Sequence, residues 1–489
     1  MDLFHVQFAA ADLLVIAPEM VLTGFALLIL LMSVFIRTEQ QRGFLGYTAV
    51  VGALAALASL YWGIGTEASA FGNMVRIDPL SFFFKVMIAI ICLLTVLVSL
   101  GYAKQEGIGF GEYYVLVLFA TVGMMLMASA VNLLIIFLGL EVMSISIYIL
   151  AGIMRDDTRS VEAAFKYFLL GAFASAFLLY GIALIYAATG TLDLAVISRV
   201  LVERSWISGL PILITGAALL IVGFGFKIAL VPFHMWTPDV YEGAPTSITA
   251  FMATGVKAAG FAAFVRVFFY ALPALQPYWK DIMWILAVAT MTVGNIIALT
   301  QSNIKRMLAY SSIAHAGYIL VAFTAGNELG IASILFYLLA YVFMNIGAFA
   351  VVILLGKKGK ENTLISDYAG IGYHHPLLAI AMAIFMFSLA GIPPTAGFMA
   401  KFYVFSAAIK ADYYWLAIIG VLNSAVAAYY YLRVLVYIYF REPEKDLAIG
   451  GFAPAAVLAI IISVWGVLNM GILPSAFLAL ARQSIQFLL

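Results

Sequence analysis

Apolar runs of about 20 residues recur about fourteen times along this chain, separated by short polar turns. A run of that length crosses the hydrocarbon core of a bilayer as an α-helix, an element whose backbone groups are satisfied internally. Of the 489 residues, 65% are hydrophobic and only 10% charged, whereas soluble domains carry about a quarter charged residues. The fold class expected is therefore an all-α membrane protein with about 14 transmembrane helices and almost no soluble domain. The runs predict helices 1 to 3 near 13–36, 44–64 and 79–101, and helices 4 to 8 near 111–129, 131–154, 162–187, 209–239 and 246–271. Helices 9 to 13 follow near 281–300, 305–324, 329–356, 374–408 and 413–439, and helix 14 near 451–475.

Basic residues orient the bundle. Loops after odd-numbered predicted helices hold Arg37, Arg42, Lys104, Arg155, Arg159, Lys305, Arg306, Lys357, Lys358, Lys360, Arg441 and Lys445. The opposite side holds only Arg76, Arg199, Arg204, Lys280, Lys410 and Arg482. The positive-inside rule makes the odd loops cytoplasmic and places both termini outside, which is periplasmic in a bacterial inner (plasma) membrane. The first apolar run is too long for a signal core and lacks a basic leader, so no cleaved signal is expected. A net charge of +1 without a basic arm leaves no nucleic-acid footprint. The single cysteine, Cys92, and five scattered histidines form no recognisable metal or iron–sulfur ligand set. The chain is expected to work without a redox centre or metal of its own.

Helices 4 to 8 echo helices 9 to 13 at an offset of about 170 residues. The triplet Thr121–Val122–Gly123 returns at 292–294, Tyr148–Ile149–Leu150 returns at 318–320, and Tyr167 falls opposite Tyr337. Because five is odd, the second copy enters from the opposite face, giving two inverted five-helix repeats. The corresponding division is 1–105 for helices 1 to 3, 106–275 and 276–440 for the two repeats, and 441–489 for helix 14. Pro232 and Pro238 break helix 7, and GIPPTAG at 391–397 breaks helix 12. Proline removes a backbone donor, so carbonyls freed at membrane depth need another polar partner.

Seven of the 25 Lys and Arg fall within predicted helices: Lys85, Lys166, Lys227, Lys257, Arg266, Lys401 and Arg433. Each charge near the bilayer centre costs about 2.5–3.5 kcal/mol. Lys85 and Arg433 are close enough to helix ends to snorkel, and Arg266 reads equally as anchor or functional group. Lys257 lies 11 residues into helix 8, about 16 Å along its axis, where snorkelling is difficult. Lys227 directly precedes one helix break and Lys401 follows the other. Glu141, midway along helix 5, must be neutral or paired, and Lys166 on the next helix is the expected partner. His234 and His315 are either satisfied packing histidines or relay groups, since imidazole titrates near neutral pH. Asp239 and Glu242 are expected to cap the broken helix, and His374 and His375 to sit at a helix entrance without chemistry.

A row of lysines and histidines with a central glutamate suits protons better than bulky solutes. Bringing a lysine's titration to neutral pH takes about 4 kcal/mol, and a carboxylate about 4 Å away supplies about 4 kcal/mol at an effective dielectric of about 20. Separating Glu141 from Lys166 is thus expected to change the field along Lys227, Lys257 and Lys401.

Three long segments carry a family resemblance: LVPFHMWTPDVYEGAPTSITAFMATGVKAAG, KRMLAYSSIAHAGYILVAF and FSLAGIPPTAGFMAKFYVFSAAIKADYYWL. They resemble the N-type antiporter-like subunits of bacterial respiratory complex I, the proton-pumping NADH:quinone oxidoreductase, from about helix 4 to helix 13. The resemblance implies fourteen helices, two inverted repeats and proton movement through Glu141, Lys166, Lys227, His234, Lys257 and Lys401, with His315 added from the residue reading. A glutamate at position 401 would indicate the M-type subunit, and the L-type needs a longer chain. NADH, FMN, iron–sulfur clusters and quinone are then bound by other subunits. The implied partners are the adjacent subunit M, small membrane subunits such as K, and the lipid bilayer. A thylakoid location follows instead if the source is cyanobacterial. Two other readings stay open at this level: a cation/proton antiporter of the Mrp type, and a passive membrane-arm scaffold.

Overall fold

The computed structural model describes residues 10–36, 39–203, 209–357, 361–442 and 453–488. Arg37, Arg204, Lys358, Lys360 and Lys445, used above for orientation, lie outside the described residues. The helices that cross are α1 (Ala17–Phe35), α2 (Glu39–Ser59), α3 (Pro79–Gln105), α4 (Gly111–Ser129), α5 (Leu133–Ala151), α6 (Thr158–Thr189) and α7 (Leu210–Lys227). They continue with α8 (Thr246–Ala271), α9 (Gln276–Leu299), α10 (Ile304–Ala325), α11 (Glu328–Leu354), α12 (Pro376–Ala390), α13 (Tyr414–Phe440) and α14 (Pro454–Ile472). Among the described residues, thirteen spans are long and apolar enough to cross a membrane unaided. The shorter α12 is the first half of a broken helix that resumes as Ala396–Lys410.

Both expected breaks are present. Helix α7 ends at Lys227 and resumes only as Thr237–Gly243. Helix α12 ends where Gly391 adopts φ +88°, a left-handed conformation that glycine tolerates. Helix starts are set by short polar side chains that accept from otherwise orphaned backbone donors. Asp78 caps α3 in a reciprocal pairing with Ser81, Asn132 caps α5, Asp157 caps α6, and Asn303 caps α10.

Close helix packing recurs at one offset. A Cβ added at Gly123 on α4 would lie 2.5 Å from Met143 N and 2.6 Å from Gly139 O on α5. A Cβ added at Gly294 on α9 would lie 2.8 Å from Ala314 N and 3.0 Å from Tyr310 O on α10. Residues 123, 139 and 143 map onto 294, 310 and 314 by the same shift of 171, the difference between each pair of numbers. Small residues permit this approach in membrane helices, where packing rather than hydrophobicity drives association.

Three helices form the centre. Helix α8 is 100% buried along its apolar window, and α10 and α11 are each 94% buried, against 28% for α1 and 39% for α6. The functional groups expected on α8 and α10 are therefore shielded from lipid within this chain. Among the described residues, the small features beyond the predicted spans include a hairpin pairing Ala68–Ala70 with Val75–Ile77 and helix Leu194–Glu203, and helix Pro474–Gln483 follows on from the last span. All are shorter than a membrane-crossing run.

Candidate functional site

Helix α10 organises the centre of the molecule. Lys257, 2% exposed on α8, donates to Ser312 Oγ at 2.7 Å and to the Ser312 carbonyl, and its ammonium lies 5.3 Å from the centre of the Tyr341 ring. Three residues further along α10, His315 is bonded through Nδ1 to Tyr337 OH at 2.6 Å and through Nε2 to Tyr431 OH at 3.1 Å. Tyr431 also meets Ser311. Three residues beyond, the Tyr318 ring faces the Lys401 ammonium at 4.7 Å. Each step of three residues rises about 4.5 Å and turns about 60° around the helix. Lys257 and Lys401 therefore reach α10 from different sides, with His315 between them.

A neutral imidazole donates at one nitrogen and accepts at the other. His315, held between two phenols, is thus equipped to take a proton on one side and release it on the other. Both amide atoms of Asn345, one turn beyond Tyr341 along α11, are buried without hydrogen-bond partners among the described residues. In native proteins such groups are normally satisfied by ordered water.

The two breaks hold the remaining lysines. Lys401, 5% exposed, donates to the carbonyls of Ala390 at 2.9 Å and Leu389 at 3.3 Å. These belong to the last turn of α12, whose orphaned carbonyls and negative dipole end favour a cation. Lys227, 3% exposed, is itself the final residue of α7. Its ammonium donates to Ser144 Oγ at 2.8 Å and Tyr148 OH at 3.0 Å on α5, beside the rings of Tyr148 and Tyr167. A Cβ at Gly260, three residues past Lys257, would lie 4.0 Å from Lys227 Cβ, so α7 abuts α8 here. Helix α8 widens into a π-turn over Met252–Val256 immediately before Lys257, a distortion that accompanies functional sites more often than ordinary helix does.

Several expectations are corrected. Glu141 does not meet Lys166: its carboxylate accepts from Ser175 Oγ at 2.5 Å, and it is half-buried on α5. Lys166 instead pairs with Glu162 and Asp239, each at 2.7 Å. Asp239 also holds Arg306 at 2.8 Å, and Glu242 holds Arg306 at 2.9 Å, so these two acids pair with bases rather than cap the broken helix. Together with Arg159 they line a cavity of about 260 Å³. The pairing was hidden because Asp239 sits 73 residues from Lys166, across a helix break. His234 is half-buried in that break, and its Nδ1 makes no hydrogen bond among the described residues; no side-chain bond joins it to the row. His374 and His375 do stand at the entrance to α12.

Lys85 does not snorkel. It is 1% exposed and pairs with Glu19 at 2.7 Å. Arg266 is likewise buried, with both terminal guanidinium nitrogens donating to Asp78 at 2.6 and 2.9 Å. Arg433 caps the end of α9 through the carbonyls of Leu299 at 2.8 Å and Gln301. Lys305, expected in a loop, is 1% exposed and pairs with Glu361 at 2.9 Å. The contrast is informative: among the described residues, no carboxylate lies within 4.0 Å of the ammonium groups of Lys227, Lys257 or Lys401. The neighbouring acid expected to tune them is not in direct contact. The serines and tyrosines that surround them were missed, although Ser144 and Tyr148 follow Glu141 on the same face of α5, and Ser312 and Tyr318 flank His315 in AYSSIAHAGY.

Residues 130–427 match the family described as NADH:quinone oxidoreductase/Mrp antiporter, TM. The chain is 53% identical over 481 residues to NADH-quinone oxidoreductase subunit N of Trichlorobacter lovleyi, covering 98% of each. It is 44% identical to a subunit N of Chloroflexus aggregans, covering 97% of each. Among solved structures, a chain of respiratory complex I from Thermus thermophilus is 37% identical and aligns with a TM-score of 0.81 over 95% of this chain and 99% of that one. A chain of the Mrp complex from Dietzia shares the fold at a TM-score of 0.81 and 22% identity, covering 95% and 96%.

Proposed function

Because the chain belongs to the membrane family of NADH:quinone oxidoreductases and Mrp antiporters, and within it to subunit N of NADH-quinone oxidoreductase, we propose that it moves protons across the membrane through Lys227, Lys257, His315 and Lys401. One observation carries this reading. Lys85, Arg266 and Lys305 are buried and ion-paired, whereas Lys227, Lys257 and Lys401 are buried against neutral hydroxyls, carbonyls and rings. Breaking a buried pair typically costs about 3–5 kcal/mol because a charge is left uncompensated. An ammonium lacking a carboxylate from the start has the same reason to give up its proton, so these three groups are suited to cycling between charged and neutral forms.

In this mechanism Lys227 exchanges protons through Ser144 and Tyr148, toward Glu141 one turn away on α5. Lys257 passes protons to α10, His315 relays them between its two phenols, and Lys401 receives them beside Tyr318. Glu141 sets the field from α5, and Lys166 does so through Asp239 instead of through Glu141. His234 gates the first break. The driving force is electron transfer from NADH to quinone in other subunits, which hold FMN, the iron–sulfur clusters and quinone. Subunits M and K are the neighbours that this assignment implies.

The proposed architecture is two inverted repeats, helices 4 to 8 within 106–275 and helices 9 to 13 within 276–440, flanked by 1–105 and 441–489. The glycine contacts that recur at an offset of 171 support it. The basic odd-numbered loops support a bacterial inner-membrane location with both termini periplasmic. An Mrp-type antiporter is disfavoured by the 53% identity to subunit N over nearly the whole chain.

The test is Lys257→Ala, and separately Lys401→Ala, in the assembled complex reconstituted into proteoliposomes. Each is expected to lower the initial rate of NADH-driven proton translocation by about tenfold or more, equivalent to at least about 1.4 kcal/mol on the barrier. Normal translocation in a fully assembled variant would remove that lysine from the path.

A further inference from the structure

Helix α3, which lies outside both proposed repeats, carries its own polar seam. Asp78, Ser81, Lys85, Cys92, Thr95, Ser99 and Tyr102 follow one another at spacings of three, four or seven, so they lie on one slowly winding face. All are buried, none more than 3% exposed. The half bearing Asp78 and Lys85 is closed by the ion pairs with Arg266 and Glu19. The other half consists of the Cys92 thiol and the hydroxyl groups of Thr95, Ser99 and Tyr102.

That second half starts at Glu361, in the loop after α11. Its side chain is 29% exposed, and its carboxylate accepts from Lys305 at 2.9 Å, from Thr246 Oγ1 at 2.9 Å and from Tyr102. Burial raises the Glu361 carboxyl, but the Lys305 charge and these hydrogen bonds outweigh it and hold it below the usual carboxylate range. The backbone N–H of Thr246 donates to Tyr102 OH, which places this cluster on the first residue of α8. The next residue, Ser247, bonds to Tyr113 OH at 2.8 Å, and Tyr113 OH bonds to Ser99 Oγ at 2.7 Å. Ser99 donates to the Thr95 carbonyl at 2.7 Å. Thr95 Oγ1 is buried with no hydrogen-bond partner among the described residues.

Serines in membrane helices commonly bond their own backbone one turn back, and Ser99 does so. That habit does not explain a tyrosine hydroxyl from α4 standing between serines of α3 and α8, or an unpartnered hydroxyl beyond them. One turn from Thr95, Ile91 lies 3.5 Å from a Cβ placed at Gly255, within the π-turn that precedes Lys257.

We propose that Glu361, Tyr102, Thr246, Ser247, Tyr113, Ser99 and Thr95 form a proton inlet from the odd-loop face toward Lys257. It rests on the proton-transfer reading above. A proton taken up at Glu361 passes to Thr246 Oγ1, which bonds the carboxylate directly, while Tyr102 holds the same carboxylate in place; each later hydroxyl gives its own proton onward as it accepts one, so an O–H bond forms for each that breaks and every hydroxyl is restored. One water between the Thr246 and Ser247 hydroxyls joins the two hydrogen-bonded sets, and a second carries the proton from Ser99 Oγ to Thr95 Oγ1 and on toward α8, because Ser99 bonds the Thr95 carbonyl, which cannot relay it.

The decisive variant is Tyr113→Phe, which keeps the ring and deletes the hydroxyl, measured in the reconstituted complex beside Tyr114→Phe, whose hydroxyl is outside the chain. Tyr113→Phe is expected to slow proton translocation by about tenfold and to enlarge the solvent deuterium isotope effect on coupled turnover, a change that loosened packing alone would not produce. Tyr114→Phe is expected to match the parent in both. A parent-like rate and isotope effect in Tyr113→Phe would overturn the inlet. If that variant does not assemble, Ser247→Ala is read the same way and decides with the same two outcomes. Impaired Lys257→Ala beside normal Tyr113→Phe rejects the inlet alone, whereas normal translocation in both Lys257→Ala and Lys401→Ala rejects the proton-transfer reading itself.

Discussion

A buried charge and its nearest neighbour decide each other's role. Asp78 and Arg266 form a pair in which each side chain is 1% exposed. Burial alone would raise the Asp78 carboxyl, but the Arg266 charge and hydrogen bonds dominate and hold it below its ordinary value. Asp78→Asn is expected to destabilise the protein by about 3–5 kcal/mol, since it leaves Arg266 uncompensated; thermal unfolding in detergent reads this directly. The sign of the pH effect follows from the depressed carboxyl. The pair's contribution is fully present above about pH 4 and is lost as the pH falls through the lower folded value. The gap between parent and variant should therefore be constant near neutrality and narrow only in strong acid. Lys227, Lys257 and Lys401 were legible in the sequence because each interrupts a long apolar run. Their neutral surroundings were not, because hydroxyl and carbonyl partners come from helices tens of residues away, such as Ser144 for Lys227 and Ser312 for Lys257.

Among the elements, the unbroken helices were readable nearly to the residue where glycine or proline turns bound the apolar run, as for α4 at Gly111–Ser129 and α8 at Thr246–Ala271. Apolar length fixes such spans, while proline marks the breaks. The hairpin at Ala68–Ile77 and helix Leu194–Glu203 escaped because neither has enough apolar residues for a membrane period. Lys166 was placed close to the start of its helix, but α6 begins at Thr158, which brings Lys166 beside the second half of helix 7. Helix packing gives a further expectation. Gly294→Val puts side-chain atoms where backbone atoms of α10 lie 2.8 to 3.1 Å from a bare Cβ. Overpacking typically costs about 1–3 kcal/mol, and here it would also displace the helix carrying Ser312 and His315. Reduced thermal stability of the assembled complex, with a matching loss from Gly123→Val at the equivalent α4–α5 contact, is the expected result; two unperturbed variants would contradict the packing account.

Across the whole molecule, the ion-paired residues and the lysines without a carboxylate partner among the described residues occupy different places. Lys85–Glu19 and Arg266–Asp78 fasten α3 to its neighbours, while α8, α10 and α11 enclose Lys257 and His315 at the most buried level of the fold. The central claim is that Lys227, Lys257 and Lys401 change protonation during turnover. Infrared difference spectroscopy of the reconstituted complex, with and without NADH and with 15N-labelled lysine, measures this most directly. The account predicts isotope-sensitive ammonium bands that appear on turnover and diminish in Lys257→Met and Lys401→Met. Turnover at the parental rate with no lysine band would contradict it.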